Sequence, residues 1–483
     1  MPATQVSLIK GDSVDNNTEY RDSLPTNMFV IPREVLGTNG YLINWYGLAN
    51  FATGEGVDRG AIWVSNADLE GHYRVSGNSL LSIDTDGAID NLGDIPGSGQ
   101  VSMDYSFNNL AIVADEKLFY YNKNDGLREI SGVVDNGNNT PIGTSVGSPI
   151  DLVWVDGYFF VTDGDDIYHS DITNEERFLP LDFGNAQFLP DPSRGLGKNE
   201  DNEILVFGAF SIEYFINVGT ENFAFQRLNQ KAQKIGVLGT HCKREMNGKW
   251  YTLSRRKESA PSFHIISLGN EQVISTRETD QILSAYTHNQ LASVTVDTMV
   301  RDNMKLVIYN LPDKTLMFNE TIAEKMGVDN AWTILKSDVL GDRTYRAKDP
   351  VLDPRSGKWV VGDKFDSTIG VLDASICEHY GGIVEWIIDT PFLKLDGKSI
   401  TQIEIDTIPG ISPDEDATVE MSVTFNGRTH GQGRWVKMGA NYDYGQRFIV
   451  RNPIGFVRNM FSLRLRGASR SRMSLAKLNM VFI

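Results

Sequence analysis

Short apolar runs separated by turn residues recur along most of this chain. Residues 61–64 and 110–113 are examples, and paired aromatic residues lie in or beside several such runs, as at Phe119-Tyr120 and Phe159-Phe160. Many of the 45 glycines stand in Asp-Gly, Asn-Gly or Gly-Asp pairs, which favour tight turns between strands. The pattern therefore predicts many short strands and little helix.

The strand pattern repeats with a period of 45 to 56 residues. Equivalent positions in seven successive copies are Ala61, Asn109, Asp156, Glu203, Gly248, Met304 and Gly357. A period of roughly 40–50 residues with about four strands per unit is typical of a β-propeller, whose blades stack around a channel. Because no Trp-Asp ending recurs, we predict a degenerate six- or seven-bladed β-propeller. A sandwich with long hairpins is the alternative.

Different patterns precede and follow the repeats. After Gly381-Gly382 the period ends, and Ile403 and Ile405 alternate with Glu404 and Asp406, as in a half-buried strand. The chain is therefore mainly β and is predicted to have three parts: an N-terminal extended arm (1–52), a β-propeller-like repeat domain (53–380) and a C-terminal basic β-sandwich domain (381–483). The best helical pattern runs from about Thr279 to Leu291, with Thr279 as its N-cap.

Charge is divided unevenly between the parts. The 483 residues carry a net charge of −18. Residues 427–483 hold eleven Lys or Arg and a single acid, Asp443, which gives +10, whereas the remaining residues hold 34 basic and 62 acidic residues, which gives −28. Such asymmetry indicates an acidic body with one basic face. That face either is an ordinary solvated surface or docks an acidic protein or lies near nucleic acid.

Strand alternation near the end of the chain identifies the candidate site residues. Phe461, Leu463 and Leu465 alternate with Arg464 and Arg466, so the two arginines lie on one face of a strand while the apolar residues turn inward. The candidate docking or DNA-proximal basic face consists of Arg464, Arg466, Arg470 and Arg472.

No catalytic or ligand-binding signature stands out. Residues 143–147 (GTSVG) have the spacing of a nucleophile elbow, but Pro141 and Pro149 flank them, which argues against the required strand and helix. The seven histidines show no zinc-ligand spacing, and Asp-Gly clusters such as 163–166 are more typical of hairpin turns than of calcium loops. We expect no enzyme activity, catalytic residue, metal or cofactor.

The chain has no sequence feature of membrane insertion or secretion. The first residues lack a signal-peptide pattern, the apolar runs are far shorter than the about 20 residues that span a bilayer, and only two cysteines occur. We therefore expect synthesis in a cytosol and no membrane insertion.

Several collinear segments resemble the packaged-DNA stabilization proteins of short-tailed phages of the Salmonella-phage type, a tail hub or nozzle family. The segments are 20–28 (YRDSLPTNM), 32–36 (PREVL), 40–42 (GYL), 97–103 (GSGQVSM), 207–208 with 212–215, 239–243 (GTHCK), 260–262 with 265–266, and 362–364 with 369–370. The resemblance covers about residues 4–380 and is weaker beyond them.

The resemblance implies a structural virion protein. It implies a homo-oligomer, expected to be a hexamer, that forms a ring below the portal-adaptor ring in the virion tail, after synthesis in the host bacterial cytoplasm. The implied partners are tailspikes or tail fibres, a needle or tip protein, and double-stranded DNA, which the ring retains and then conducts without sequence specificity.

Two other classes of function fit the residue pattern. A glycan-binding or glycan-degrading β-propeller would place paired carboxylates in the central channel, and the acidic composition leaves that alternative open. An intracellular propeller scaffold is the other alternative.

Overall fold

The computed structural model describes residues 3–14, 20–130, 133–135, 141–144, 147–186, 188–220, 223–408, 417–438, 448–470 and 472–483. Most of these residues lie in antiparallel strands. Seven successive sheets form a β-propeller, and two further sheets face each other as a β-sandwich. The mainly β fold class and the propeller are thereby confirmed.

Each blade of the propeller has four or five strands. Blade 1 contains Asp58–Val64, Gly71–Ser76, Ser79–Ile83 and Ile89–Asp94; blade 2 contains Ser102–Tyr105, Leu110–Ala114, Lys117–Asn122 and Gly126–Ile130; blade 3 contains Asp151–Val155, Tyr158–Thr162, Ile167–Asp171 and Asn174–Gly184; blade 4 contains Ser193–Lys198, Ile204–Gly208, Ile212–Asn217 and Phe225–Arg227. Blade 5 contains Gly236–Val237, Lys243–Met246, Lys249–Arg255, Ser262–Ser267 and Asn270–Val273; blade 6 contains Thr295–Arg301, Met304–Asn310, Thr315–Asn319 and Trp332–Leu335; blade 7 contains Ala347–Asp353, Lys358–Asp363, Thr368–Asp373 and Gly47–Thr53. Neighbouring blades are in contact around the whole ring, including blade 7 with blade 1.

Aromatic side chains fill the space between successive blades. Ring pairs join blades 1 to 6 in order, with centroid separations of 4.3–5.7 Å: Tyr73–Tyr121, Tyr120–Phe159, Phe160–Phe225, Phe207–Trp250 and Phe263–Tyr309. A blade cannot bury both faces of its sheet alone, so these rings, together with aliphatic residues between blades 7 and 1, form the propeller core.

The sandwich combines strands from both ends of the described chain. Its first sheet contains Met28–Ile31, Tyr41–Asn44, Ser474–Phe482, Lys398–Thr407 and Phe448–Val457, with Ala3–Ser7 also paired to Ser474–Phe482; its second sheet contains Trp386–Asp389, Met460–Gly467, Thr418–Thr424 and Arg434–Lys437, with Leu393–Lys394 paired to Met460–Gly467. The predicted inward positions Ile403, Ile405, Leu463 and Leu465 are at most 2% exposed. Two hairpins lie outside these sheets, Gly11–Val14 with Tyr20–Ser23 and Val133–Asp135 with Pro141–Thr144.

The N-terminal segment joins the two architectures. Gly47–Thr53 pairs with Thr368–Asp373 and completes blade 7, whereas Thr26 donates its backbone N–H to Ile387 O of the sandwich. Asn27 donates its backbone N–H to Ile334 O of blade 6. The bounds 1–52, 53–380 and 381–483 stay a prediction.

Three α-helices occur in the described part of the chain: α1 (Arg277–Ser284), α2 (His288–Ala292) and α3 (Glu320–Met326), with a 3-10 turn at Val328–Asn330. The predicted single helix from Thr279 to Leu291 is wrong. Thr276 and Thr287 each accept a hydrogen bond from the backbone N–H three residues later, so two N-caps start two helices. In the described ranges no helix has the length and apolarity that crossing a bilayer requires.

Candidate functional site

The propeller encloses a central cavity of about 600 Å³. Residues of blades 2 to 6 line it, together with Asp349 of blade 7. The first strand of each blade supplies most of the lining, because these strands stand closest to the propeller axis. This cavity is where a catalytic carboxylate pair of a propeller enzyme would be expected.

Two carboxylates that line the cavity, Asp104 and Asp151, are paired with lysines. Asp104 accepts hydrogen bonds from Lys198 Nζ at 2.8 Å and from the backbone N–H of Trp154 at 2.8 Å. Asp151 accepts from Lys243 Nζ at 2.7 Å and from the backbone N–H of Leu196 at 2.8 Å. The first ion pair reaches from blade 2 to blade 4 and the second from blade 3 to blade 5, while the backbone N–H that each carboxylate accepts comes from the next blade. These carboxylates therefore each link three successive blades.

A second charged network crosses the junction of blades 7, 1 and 2. Arg74, fully buried, donates to Asp58 at 2.7 Å and to the backbone oxygen of Asp349 at 2.9 Å. Gln100 donates to Asp349 Oδ1 at 2.8 Å. Burial raises the pKa of Asp58 well above its usual range despite the nearby Arg74. Burial also acts to raise the pKa of Asp349, but Lys348 and a hydrogen bond from Asp58 outweigh it and lower that pKa.

The directions of these two pKa shifts favour a neutral Asp58 beside a charged Asp349. Arg74 donates a hydrogen bond to Asp58, and Gln100 donates one to Asp349. A buried charged group needs partners of this kind because it has lost its contact with water. The structural effect of this network is to hold the first and last blades together where the ring closes.

Three of the four predicted site arginines form ion pairs, and two of these, Arg464 and Arg466, bind carboxylates that are almost fully buried. Arg464 and Arg466 lie on the same face of Met460–Gly467, as the alternation predicts. Arg464 binds both carboxylate oxygens of Asp389, at 2.7 and 3.0 Å. Arg466 donates to Glu385, which is 3% exposed, and lies 3.5 Å from Glu420. These contacts hold the second sheet of the sandwich together.

The other two arginines, Arg470 and Arg472, contact different residues from those that Arg464 and Arg466 bind. Arg470 is the most exposed of the four, at 69%, and lies 3.1 Å from Glu378. The Arg472 guanidinium lies 5.9 Å from the Tyr46 ring centroid, and burial lowers its pKa. Sequence alternation could identify one strand face but none of these partners, which are distant along the chain.

Sequence reasoning missed the more exposed basic residues of the sandwich. Arg428, Arg434, Lys437, Arg451 and Arg458 are exposed. Arg434–Lys437 is also the edge strand of the second sheet, and its Trp435 is 62% exposed. The available signal was the RWVK run itself, in which basic residues flank an aromatic residue.

The other candidate chemical motifs have structural explanations or lie outside the described residues. Asp163 accepts backbone N–H groups of Asp165 and Asp166 at 3.0 and 2.9 Å, which is a hairpin-turn arrangement. Ser145, the centre of the nucleophile-elbow spacing, lies outside the described residues. Among the residues described, no group of three or more His, Cys, Asp or Glu is arranged to hold a metal ion.

Comparison with solved structures finds matches of low similarity. A catalytically inactive virginiamycin B lyase from Staphylococcus aureus has a TM-score of 0.43 and 11% identity, covering 68% of this chain and 98% of that chain. The AfRom2 CNH domain has a TM-score of 0.38 and 10% identity, covering 67% and 97%. At these scores neither bears on function.

Sequence comparison is more specific. A family model described as Bacteriophage P22 Gp10, beta-propeller, matches residues 4–377, and one described as Bacteriophage P22 Gp10, beta-sandwich, matches residues 385–482. The tail hub protein gp10 of Salmonella phage P22 is 27% identical over 485 residues, which cover 99% of this chain and 98% of that protein. The match includes residues 385–482, where fewer short segments resemble the family than in residues 4–380. This chain belongs to the bacteriophage P22 Gp10 family.

Proposed function

We propose that this protein is the tail hub of a short-tailed phage and acts as a structural component without enzyme activity. The observation that carries the proposal is the family match over nearly the whole chain, including a relative named as a tail hub protein. In this proposal, six copies form a ring below the portal-adaptor ring. The ring retains packaged DNA, carries tailspikes or fibres and a needle protein, and conducts DNA during ejection.

The propeller architecture supports a mechanical role. The first and last blades are joined by the Asp58–Arg74–Asp349 network, and blade 7 is completed by a strand from the N-terminal segment. The same segment is bonded to the sandwich through Thr26. A force on one part would therefore reach the other through hydrogen-bonded strands, which suits the wall of a channel.

The charge of the body supports passage of DNA. Attraction to phosphate comes from Lys and Arg side chains that neutralise it, whereas the chain outside residues 427–483 carries −28. An acidic lumen wall would repel phosphate and let DNA slide past without sequence preference.

The basic sandwich supports docking to an acidic neighbouring ring. In this proposal the face around Arg464, Arg466, Arg470 and Arg472 lies toward that ring. Arg464 and Arg466 bind nearly buried carboxylates. Arg470, which is 69% exposed although it pairs with Glu378, and the exposed Lys437 are the residues best placed to reach an outside partner.

Charge reversal on this domain tests the proposal. We expect the Lys437→Glu/Arg470→Glu protein to fold normally but to bind the portal-adaptor complex at least about tenfold more weakly, because like charges oppose docking. Particles assembled with it should lose packaged DNA, measured as nuclease-protected DNA per particle. Lys117→Glu, an exposed change on the propeller, is the matched control. Unchanged binding and DNA retention in the double variant would contradict the docking role.

A further inference from the structure

Two arginines of blades 4 and 5 lie near each other without an acidic partner. Arg194 belongs to Ser193–Lys198, and Arg255 ends Lys249–Arg255. The Nε atom of each is buried and has no hydrogen-bond partner. Across the described ranges, neither guanidinium forms a salt bridge to a carboxylate. Both belong to the face of the propeller where the first strands of the blades begin.

Both arginines lie beside the turn at residues 209–210 of blade 4, where Ala209 donates its backbone N–H to Pro192 O at 3.1 Å. The strand register shifts between Ser193 and Gly195, so Arg194 is the extra residue of a β-bulge, which re-aims a side chain. Across the blade boundary, the Arg255 guanidinium lies 4.6 Å from the centroid of the Phe210 ring. Burial and then the positive charge of Arg194 lower the pKa of Arg255.

His288 is the third member of this cluster. It begins α2, which is held beside blade 5 by a hydrogen bond from Cys242 Sγ to Leu291 O at 3.3 Å. Burial, followed by the charges of Arg255 and Arg194, lowers the pKa of His288. The imidazole is exposed, so an incoming group can reach it.

Several cations of the propeller are paired with a carboxylate. Lys243 pairs with Asp151 at 2.7 Å and Arg346 with Asp363 at 2.6 Å. Acidic residues outnumber basic ones by 63 to 45, yet in the described part of the chain no ion pair joins a carboxylate to Arg194 or Arg255. Asp191, three residues before Arg194, instead accepts from the backbone N–H of Phe210 at 2.6 Å and from Ser211 Oγ at 3.0 Å. An anion from outside the chain would supply the missing charge.

We propose that Arg194, Arg255 and His288 bind a single oxyanion group, and that in the assembled tail this group is the carboxylate of an acidic side chain on a second copy of the chain. The forked guanidinium geometry matches carboxylate and phosphate oxygens. A compact cluster in an acidic body suits one carboxylate better than DNA, which is bound by extended rows of basic residues. The identity of the occupant rests on the proposed ring, in which subunits meet through heterologous contacts; the oxyanion site itself does not.

Anion binding by the purified chain is the first test. The pKa of His288 is measured from its ring NMR signal in inorganic phosphate and in chloride at equal ionic strength, with His288→Gln to assign the signal. We expect phosphate to raise that pKa by about 1 unit, because a nearby opposite charge favours the protonated imidazole. Arg194→Gln/Arg255→Gln should abolish the difference. Arg256→Gln, the neighbouring arginine bound to Glu271, should preserve it.

The same pKa in both salts for the unmodified protein would overturn the oxyanion site. Arg255→Lys guards against a folding artefact, because it keeps the charge and should retain part of the phosphate response. A phosphate response that persists unchanged in the double Gln variant would likewise overturn the assignment to these arginines.

A ring-assembly assay tests which group occupies the site formed by Arg194, Arg255 and His288. Arg194→Glu/Arg255→Glu should reduce formation of the ring, measured by particle mass, while Arg256→Glu should not. Normal rings from the double Glu variant would overturn the carboxylate of a second copy as the occupant. Binding of a short DNA duplex that depends on both arginines would also overturn it in favour of nucleic acid. If the unmodified chain forms no ring, either alone or on the portal-adaptor complex, the proposed function fails, while the phosphate titration still decides the site.

Discussion

Asp297 of blade 6 is a buried carboxylate whose charge the fold disfavours. It is 3% exposed and accepts a hydrogen bond from Asn310 at 2.7 Å. Burial and then the neighbouring Asp349 raise its pKa from 3.8 to about 6, against the opposing effect of Arg244. The folded protein therefore holds this proton more tightly than the unfolded chain does.

This residue predicts a pH dependence of stability. The stabilisation from Asp297 should be complete below the unfolded pKa of 3.8 and should be lost as the pH rises through about 6. Asp297→Asn keeps a neutral hydrogen-bonding group, so the free energy of unfolding of that variant should lack this decline. Denaturant titrations between about pH 4 and pH 7 measure it. Identical pH profiles for both proteins would contradict the assignment.

Arg464 predicts a stability effect at the other end of the chain. Its bidentate contact with Asp389, which is 6% exposed, is lost in Arg464→Gln. We expect a loss of about 1–2 kcal/mol of unfolding free energy, discounted because the Arg464 side chain is 37% exposed. Arg470→Gln, whose side chain is 69% exposed, should change it by less than about 0.5 kcal/mol. Equal effects would show that the internal pair is not stabilising.

The same residues show how far sequence predicts a site. Period-two alternation placed Arg464 and Arg466 on one face, because side-chain direction in a strand follows from spacing alone. Their carboxylate partners Asp389 and Glu385 lie on another strand about eighty residues earlier, so only the sheet pairing reveals them. The Arg194–Arg255 cluster had no sequence signal, since a β-bulge and a blade boundary create it.

At the scale of elements, Gly47–Thr53 closes the propeller. It pairs with Thr368–Asp373 at the outer edge of blade 7, and its Leu48 is fully buried. The first strand of each blade lies nearest the propeller axis. Gly47–Thr53 instead forms the outermost strand of blade 7, although it lies more than 300 residues before its partner strand in the sequence. Blade 7 therefore depends on the N-terminal segment.

Leu48→Ala tests that dependence. A truncated buried leucine leaves a cavity, so we expect a loss of about 3 kcal/mol of unfolding free energy. Hydrogen exchange should accelerate first in Thr368–Asp373, its partner strand, and less in blade 3. Thr53→Ala, at the exposed end of the same strand, is the control and should leave exchange unchanged. Uniform acceleration in all blades would contradict a local role in closure.

Elements with a strong local pattern were the predictable ones. The repeat period located all seven blades because each copy is a compact set of neighbouring strands. Helix α1 begins earlier than predicted because Thr276 and Thr279 bond reciprocally, and both threonines suit an N-cap. The pairing of Ala3–Ser7 with Ser474–Phe482 spans nearly the whole chain, beyond the reach of local pattern.

At the scale of the whole molecule, the propeller and the sandwich share strands and hydrogen bonds through the N-terminal segment. Thr26 donates its backbone N–H to the sandwich, and Asn27 donates its backbone N–H to blade 6. The Asn27 side chain also donates to Lys336 O at 3.0 Å and to Glu385 O at 2.7 Å. Such coupling suits a subunit that must keep its shape within a larger ring, and the family match is consistent with a tail hub.

The mass of the purified protein, alone and mixed with the portal-adaptor complex of its phage, tests the central claim most directly, with images of any ring formed. The tail-hub account predicts a hexamer, or a monomer that becomes a sixfold ring on the adaptor. A protein that stays monomeric and does not bind the adaptor complex would contradict it.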